Sequence, residues 1–260
     1  MKKEIILNCK NISIGYSSKK ETNVIAQNIN LSFEKGKLIS LIGVNGIGKS
    51  TLLRTLTGIQ KPISGKVFLR TKNIQEYSNL ELAQSLSLVL TEKLPPSNLN
   101  VFELIALGRQ PYTNWIGKLS DNDLHQINKA IEITNIEHLR NKKHFEISDG
   151  QLQIVLIARA LAQDTPLIIF DEPTTHLDLL HKVSLLKLLK KLAQETNKCI
   201  LFSTHDIDLA IQLSDEMIVM LPEKIIQENP CRLIELGIFN DLFNDASITF
   251  DDKKGKFLIG

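Results

Sequence analysis

The sequence predicts an α/β fold: a mainly parallel sheet, an N-terminal antiparallel β subdomain and an inserted helical subdomain. Three observations carry this. Short, mainly apolar runs at 38–42, 167–170 and 199–202 alternate with longer stretches of helical periodicity, the pattern of strands covered on both faces and joined by crossover helices. Ile12, Ile14 and Tyr16, then Ile29, Leu31 and Phe33, alternate with polar residues instead, which is the two-residue period of half-buried strands. Residues 101 to about 144 look helical and interrupt the alternation.

In chain order, Glu34-Lys35-Gly36-Lys37 is a turn before the first core strand at 38–42. A helix then runs to about Gly58, residues 62–65 turn, and Lys66-Val67-Phe68-Leu69 is a strand. Leu86-Ser87-Leu88-Val89-Leu90 is a buried strand closed off by the tandem Pro95 and Pro96. After Val101 the chain is helical, with loops around 111–117. Ser120-Asp121-Asn122-Asp123 starts a helix carrying Leu124, Ile127, Ala130 and Ile131 at helical spacing. Residues 151–163 and 181–195 are further helices. From about Pro222 the patterning weakens. The expected organisation is a domain at 1–222, its helical insertion at about 92–147, and a tail at 223–260 packed on the core.

The densest segment follows the first core strand: Gly43-Val44-Asn45-Gly46-Ile47-Gly48-Lys49-Ser50-Thr51, then apolar Leu52-Leu53. Strand, glycine-rich loop and helix form the context a phosphate-binding loop requires. Glycines let the backbone curl so that several N–H groups converge, and the helix adds its positive end. Lys49 would reach the outer phosphates and the Ser50 hydroxyl would ligate Mg²⁺. The core is thus of the P-loop NTPase kind.

A phosphate loop also needs a carboxylate for its metal. Asp171 ends the strand at 167–170, at the sheet edge where open α/β folds bind ligands. Glu172 follows, placed to orient or deprotonate an attacking water. One strand later, His205 in Phe202-Ser203-Thr204-His205-Asp206 occupies the same edge, within reach of a γ-phosphate or the water.

Composition narrows the classes. At 260 residues the chain is long enough for a large core. A net charge of +2 gives no nucleic-acid or anionic-membrane footprint. No uninterrupted apolar run reaches the ~18 residues needed to cross a bilayer. Met1-Lys2-Lys3-Glu4-Ile5-Ile6-Leu7 suits a first strand better than a secretory signal. Cys9, Cys199 and Cys231 are odd in number and widely spaced, as expected for reduced thiols in a cytosolic protein.

Together these elements resemble the nucleotide-binding subunit of ATP-binding cassette (ABC) transporters, over nearly the whole chain and in the family's motif order. The resemblance implies that Tyr16 stacks on adenine, that Gly43 to Thr51 is the Walker A loop, and that 167–171 is Walker B. It makes Glu172 the catalytic carboxylate and His205 the switch histidine. Thr175-His176-Leu177-Asp178 matches the loop that meets the opposite subunit, which brings Asp178 to the nucleotide. Ile147-Ser148-Asp149-Gly150-Gln151 stands where the family has LSGGQ, with Ser148, Gly150 and Gln151 kept and Asp149 replacing a glycine. That segment faces the γ-phosphate held by a second subunit, which implies a head-to-tail homodimer enclosing two ATPs with Mg²⁺. Thr91 falls at the Q-loop position, where the family has a metal-reaching glutamine; Glu92 is beside it.

Val101-Phe102-Glu103-Leu104-Ile105-Ala106-Leu107-Gly108-Arg109-Gln110-Pro111-Tyr112 is similar to a stretch in importers of ferric siderophores, haem and cobalamin. There this subdomain docks on the membrane-spanning permease. The bland alternative is a helix stopped at Gly108 with proline beyond. The implied protein works at the cytoplasmic face of the inner membrane, held there by the permease, with a substrate-binding protein as an indirect partner and no nucleic acid. A soluble ABC-type ATPase uncoupled from transport, or a subunit for another substrate, stays open. A GTPase or kinase would lack the 148–151 element, and no NKxD motif appears at a suitable position.

Overall fold

A computed structural model describes residues 4–17, 21–90, 97–243, 247–252 and 254–259. Its strands are β1 (Ile5–Ser17), β2 (Thr22–Glu34), β3 (Leu38–Ile42), β4 (Ser64–Leu69), β5 (Lys72–Asn73), β6 (Leu86–Val89), β7 (Leu167–Phe170), β8 (Cys199–Ser203), β9 (Glu216–Met220), β10 (Ile225–Glu228), β11 (Ile248–Asp251) and β12 (Lys256–Ile259). Its helices are α1 (Lys49–Leu56), α2 (Asn79–Ala83), α3 (Val101–Ala106), α4 (Asp121–Ile133), α5 (Asp149–Ala162), α6 (Leu179–Thr196), α7 (Ile207–Leu213) and α8 (Pro230–Glu235). Among the described residues, no helix is long and apolar enough to cross a membrane.

The central sheet runs β10-β9-β3-β8-β7-β6, parallel throughout except for β10. A second sheet, β2-β1-β4-β5, is antiparallel. The mainly apolar core strands are explained by a two-residue split between layers. Leu38, Ile168, Phe170, Ile200 and Phe202 join the core formed with α3, α4, α5 and α6. Ile39, Leu41, Leu167, Ile169, Cys199 and Leu201 join the core under the antiparallel sheet and α1. Each strand is buried on both faces, so its polar alternation disappears.

Capping sets the helix starts. Ser148 and Asp178 accept from the N–H groups of Gln151 and His181, so α5 and α6 begin about two residues before the apolar periodicity suggests. Residues Leu107–Tyr112 wind as a 3₁₀ helix that carries Pro111 inside it, where a loop was expected from Pro111. Past Pro222 the chain extends the central sheet with β10 before turning away. Phe239 stacks on Phe250 at 4.7 Å, and Phe243 and Phe257 meet edge-on at 5.1 Å, forming a third core with α7 and β9.

Candidate active site

The strand order places β3, β8 and β7 side by side and parallel, so everything following them gathers at one edge. The glycine loop connects β3 to α1. Gly48, at the α1 N-cap, has φ 110°, and a Cβ there would come within 2.5 Å of the Ile25 side chain. Gly46, with φ 79°, faces open space. Val44 and Asn45 are exposed beside it, while Ile47 packs against the core. The result is an open cradle lined by backbone.

Lys49 is buried and folds back on the loop, donating to the carbonyls of Gly43 at 2.8 Å and Val44 at 3.3 Å. Burial holds its ammonium below the usual lysine range, against the opposing pull of Glu172 and Asp171. Ser50 is exposed on the first turn of α1. The buried Thr51 places Oγ1 3.2 Å from the Tyr16 hydroxyl, which brings the half-exposed Tyr16 ring to the mouth of the loop. Gln60 fixes this side by donating to the carbonyl of Gly15.

At the end of β7, the Asp171 N–H donates to the Val89 carbonyl at 2.9 Å. Ser203, wholly buried at the end of β8, joins the two acids: its hydroxyl donates to Asp171 Oδ1 at 2.6 Å and accepts from the Glu172 N–H at 2.8 Å. Glu172 is left-handed at φ 52°, a costly backbone for a side chain and one concentrated at functional sites. Its Oε1 lies 2.6 Å from His205 Nε2, and Thr175 Oγ1 donates to its Oε2 at 3.3 Å. Asp206 braces the histidine's loop, accepting from Lys182 at 2.9 Å and Thr174 at 3.1 Å.

The structure therefore brings Lys49, Asp171, Glu172 and His205 to one edge with the glycine loop. Among the described residues, no hydrogen bond or ion pair joins Ser148, Gly150, Gln151 or Asp178 to them. Ser148 and Gln151 cap each other: Gln151 N–H donates to Ser148 Oγ at 3.3 Å, and the Ser148 N–H to Gln151 Oε1 at 3.1 Å. Asp149 is exposed on the first turn of α5, and Asp178 is exposed at the α6 N-cap. Thr91 and Glu92 lie outside the described residues.

The oxygen donors available here, the Ser50 hydroxyl and the Asp171 carboxylate, suit a hard dication such as Mg²⁺ that keeps its waters and takes phosphate oxygens. Among the described residues no group of three or more His, Cys, Asp and Glu forms a metal cage of its own. Ser203 escaped the sequence reading, although a serine ending an apolar strand ahead of His205 was a visible signal. Arg109, in the stretch similar to that of chelate importers, is buried. It donates to Asp123 Oδ1 and to the Ala162 carbonyl, each at 2.8 Å, and lies 3.9 Å over the Tyr112 ring.

The family profile described as ABC transporter matches residues 26–175. The iron(3+)-hydroxamate import ATP-binding protein of Bacillus subtilis is 36% identical over 252 residues, 96% of this chain and 92% of that protein. A metal-chelate type ABC transporter, solved in an inward-facing conformation, superposes with a TM-score of 0.80 at 28% identity, covering 98% of this chain and 95% of that one. A bacterial ABC transporter cassette, solved as a dimer, superposes at 0.72 with 28% identity, covering 86% and 98%.

Proposed function

Since the chain belongs to the ABC transporter family, we propose that it is the ATP-binding and ATP-hydrolysing subunit that powers an importer of metal chelates, of the iron–siderophore, haem or cobalamin class. One observation carries the hydrolytic part: Glu172 and His205 pair at 2.6 Å on adjacent strand ends beside the Lys49 loop. The glycine loop's N–H groups hold the phosphates, and Tyr16 packs on the base. Lys49 exchanges the Gly43 and Val44 carbonyls for the outer phosphates. Glu172 accepts a proton from the attacking water while His205 orients that water against the γ-phosphate. Ser50 and Asp171 would hold Mg²⁺, which would neutralise phosphate charge, and Thr91 at the Q-loop position is the third candidate for the metal.

Ser148, Gly150, Gln151 and Asp178 then complete the site of a second copy. The exposure of Ser148 and Asp178 and the likeness to a dimeric cassette support this. The import class is supported by the Gly108-Arg109-Gln110-Pro111-Tyr112 stretch and by the relative that imports iron(3+)-hydroxamate. The working place is the cytoplasmic face of the inner membrane, through a permease that receives chelate from a substrate-binding protein.

Steady-state ATP turnover of Glu172→Gln tests the chemistry. It should fall by about 10²–10⁴-fold while ATP binding survives; unchanged turnover rejects the role. Lys49→Ala should weaken nucleotide binding, and wild-type affinity in that variant rejects the site.

A further inference from the structure

Asp206 occupies the N-cap of α7 and does not cap it. Ser148, Asp178 and Asn229 stand at the same place on α5, α6 and α8, and each accepts from an N–H of its own helix. Aspartate is among the best residues for that task, so its failure here needs a reason. The carboxylate is engaged elsewhere: Oδ1 accepts from Lys182 Nζ on α6 at 2.9 Å, and Oδ2 from Thr174 Oγ1 at 3.1 Å. The backbone is set differently as well. Asp206 has φ −85° and ψ 75°, away from the extended geometry of the other three caps, and its N–H donates to Thr204 Oγ1 at 3.0 Å.

This bridge lies next to the reacting pair. Asp206 follows His205, and the buried Thr174 lies two residues past Glu172. The two loops are therefore joined twice, by Glu172–His205 at 2.6 Å and by Thr174–Asp206. Glu172 holds a left-handed backbone at φ 52°, so its placement depends on what fixes the residues after it. The second join competes with capping. A released carboxylate would turn to the N–H groups of Asp208 and Leu209, the ordinary targets from an N-cap. Charge opposes that turn: a hydrogen bond from an ammonium is stronger than one from a neutral backbone N–H, and Lys182 supplies it from a part-buried position.

We propose that Lys182 is a positioning residue for hydrolysis: it holds Asp206 off the α7 cap, so that Asp206 keeps Thr174, and with it Glu172, in register with His205. This rests on the roles of Glu172 and His205 proposed above.

The test is steady-state ATP turnover by the full chain, with ATP affinity and melting temperature measured alongside. Lys182→Met keeps a long side chain and removes the charge. Its kcat should fall by about tenfold, since a misplacement of 1 Å costs up to about 10²-fold. ATP affinity should stay within about twofold, because among the described residues Lys182 shares no hydrogen bond with the loop at 43–51. The melting temperature should stay within about 3 °C, because the freed carboxylate then caps α7. Thr174→Val, close in shape, should give a similar fall in kcat, and the double variant should fall no further than either alone, because both cut one link. A Lys182→Met kcat equal to wild type, losses that multiply in the double variant, or ATP affinity lost together with kcat overturns the proposal. Turnover unchanged in Glu172→Gln instead removes the reading of Glu172, and this inference falls with it.

Discussion

Removing the Arg109 side chain should destabilise the helical layer while leaving the nucleotide loop competent. Arg109 and Asp123 are each 2% exposed. The guanidinium joins α4 to the end of α5, through Asp123 Oδ1 at 2.8 Å and the Ala162 carbonyl at 2.8 Å, and it covers Tyr112. Arg109→Ala strands a carboxylate and a carbonyl in a dry cavity. Losing one partner of a buried pair costs about 3–5 kcal/mol, and the lost cation–π contact adds up to about 1 kcal/mol within the same network. For a chain of this size each kcal/mol moves the melting temperature by about 2–4 °C, so a fall of about 6–24 °C is expected in a thermal scan. Nucleotide affinity at low temperature should stay within about threefold, because Arg109 shares no bonding partner with the loop at 43–51. Arg109→Met with Asp123→Leu should recover much of the loss, since apolar replacement of a buried pair is often neutral. A single-variant shift below about 2 °C, or a double variant no more stable than Arg109→Ala, refutes the account.

Acid should act on the same pair. Burial pushes the Asp123 carboxyl up, but hydrogen bonds from Ser120 and Arg109 outweigh it and hold the group below its usual range. Its stabilisation is therefore complete above the unfolded value of about 3.9 and is lost as pH falls through the lower folded value. Wild type and Asp123→Asn should converge in urea stability between about pH 5 and pH 3; a gap constant across that range contradicts the assignment. Ser203→Ala, which frees both Asp171 and the Glu172 N–H, should lower kcat by about tenfold or more with a smaller change in KM for ATP; unchanged kcat would remove Ser203 from the positioning scheme. Burial pushes the Cys9 thiol up to about 12 and also raises that of Cys199, whereas Cys231 is exposed. A thiol-reactive chromophore should therefore label Cys231 alone in the native chain and all three cysteines in denaturant, and rapid native labelling of Cys9 or Cys199 would count against the burial described.

The elements legible in the sequence are those whose reason is local. A strand buried on both faces loses its polar alternation, so β3, β7 and β8 stand out as mainly apolar runs, and the glycine loop carries its chemistry in consecutive residues. Asp171, Glu172 and His205 are found by a simple rule, the residues just past such a run. What the sequence hides is pairing at a distance. Ile225, Ile226 and Gln227 in β10 are all part-buried, so neither face of this edge strand stands out in the sequence. Ser203 bonds two acids 31 and 32 residues away, and Arg109 meets Asp123 across 14 residues and Ala162 across 53.

Gly108 shows how the two kinds of signal become confused. Read locally, a glycine and a later proline end a helix. In the structure the chain continues through Gly108 into the 3₁₀ turn, and a Cβ there would strike the Arg159 carbonyl at 2.3 Å. The glycine is required so that this turn can press onto α5, and that approach carries Arg109 inward to the Ala162 carbonyl. Tyr112 then closes over the guanidinium. The stretch that resembles metal-chelate importers is thus an internal bracket of the helical layer. A membrane partner docking on that layer would meet the surface the bracket holds in shape, where Trp115 is 94% exposed, and would not meet Arg109 itself.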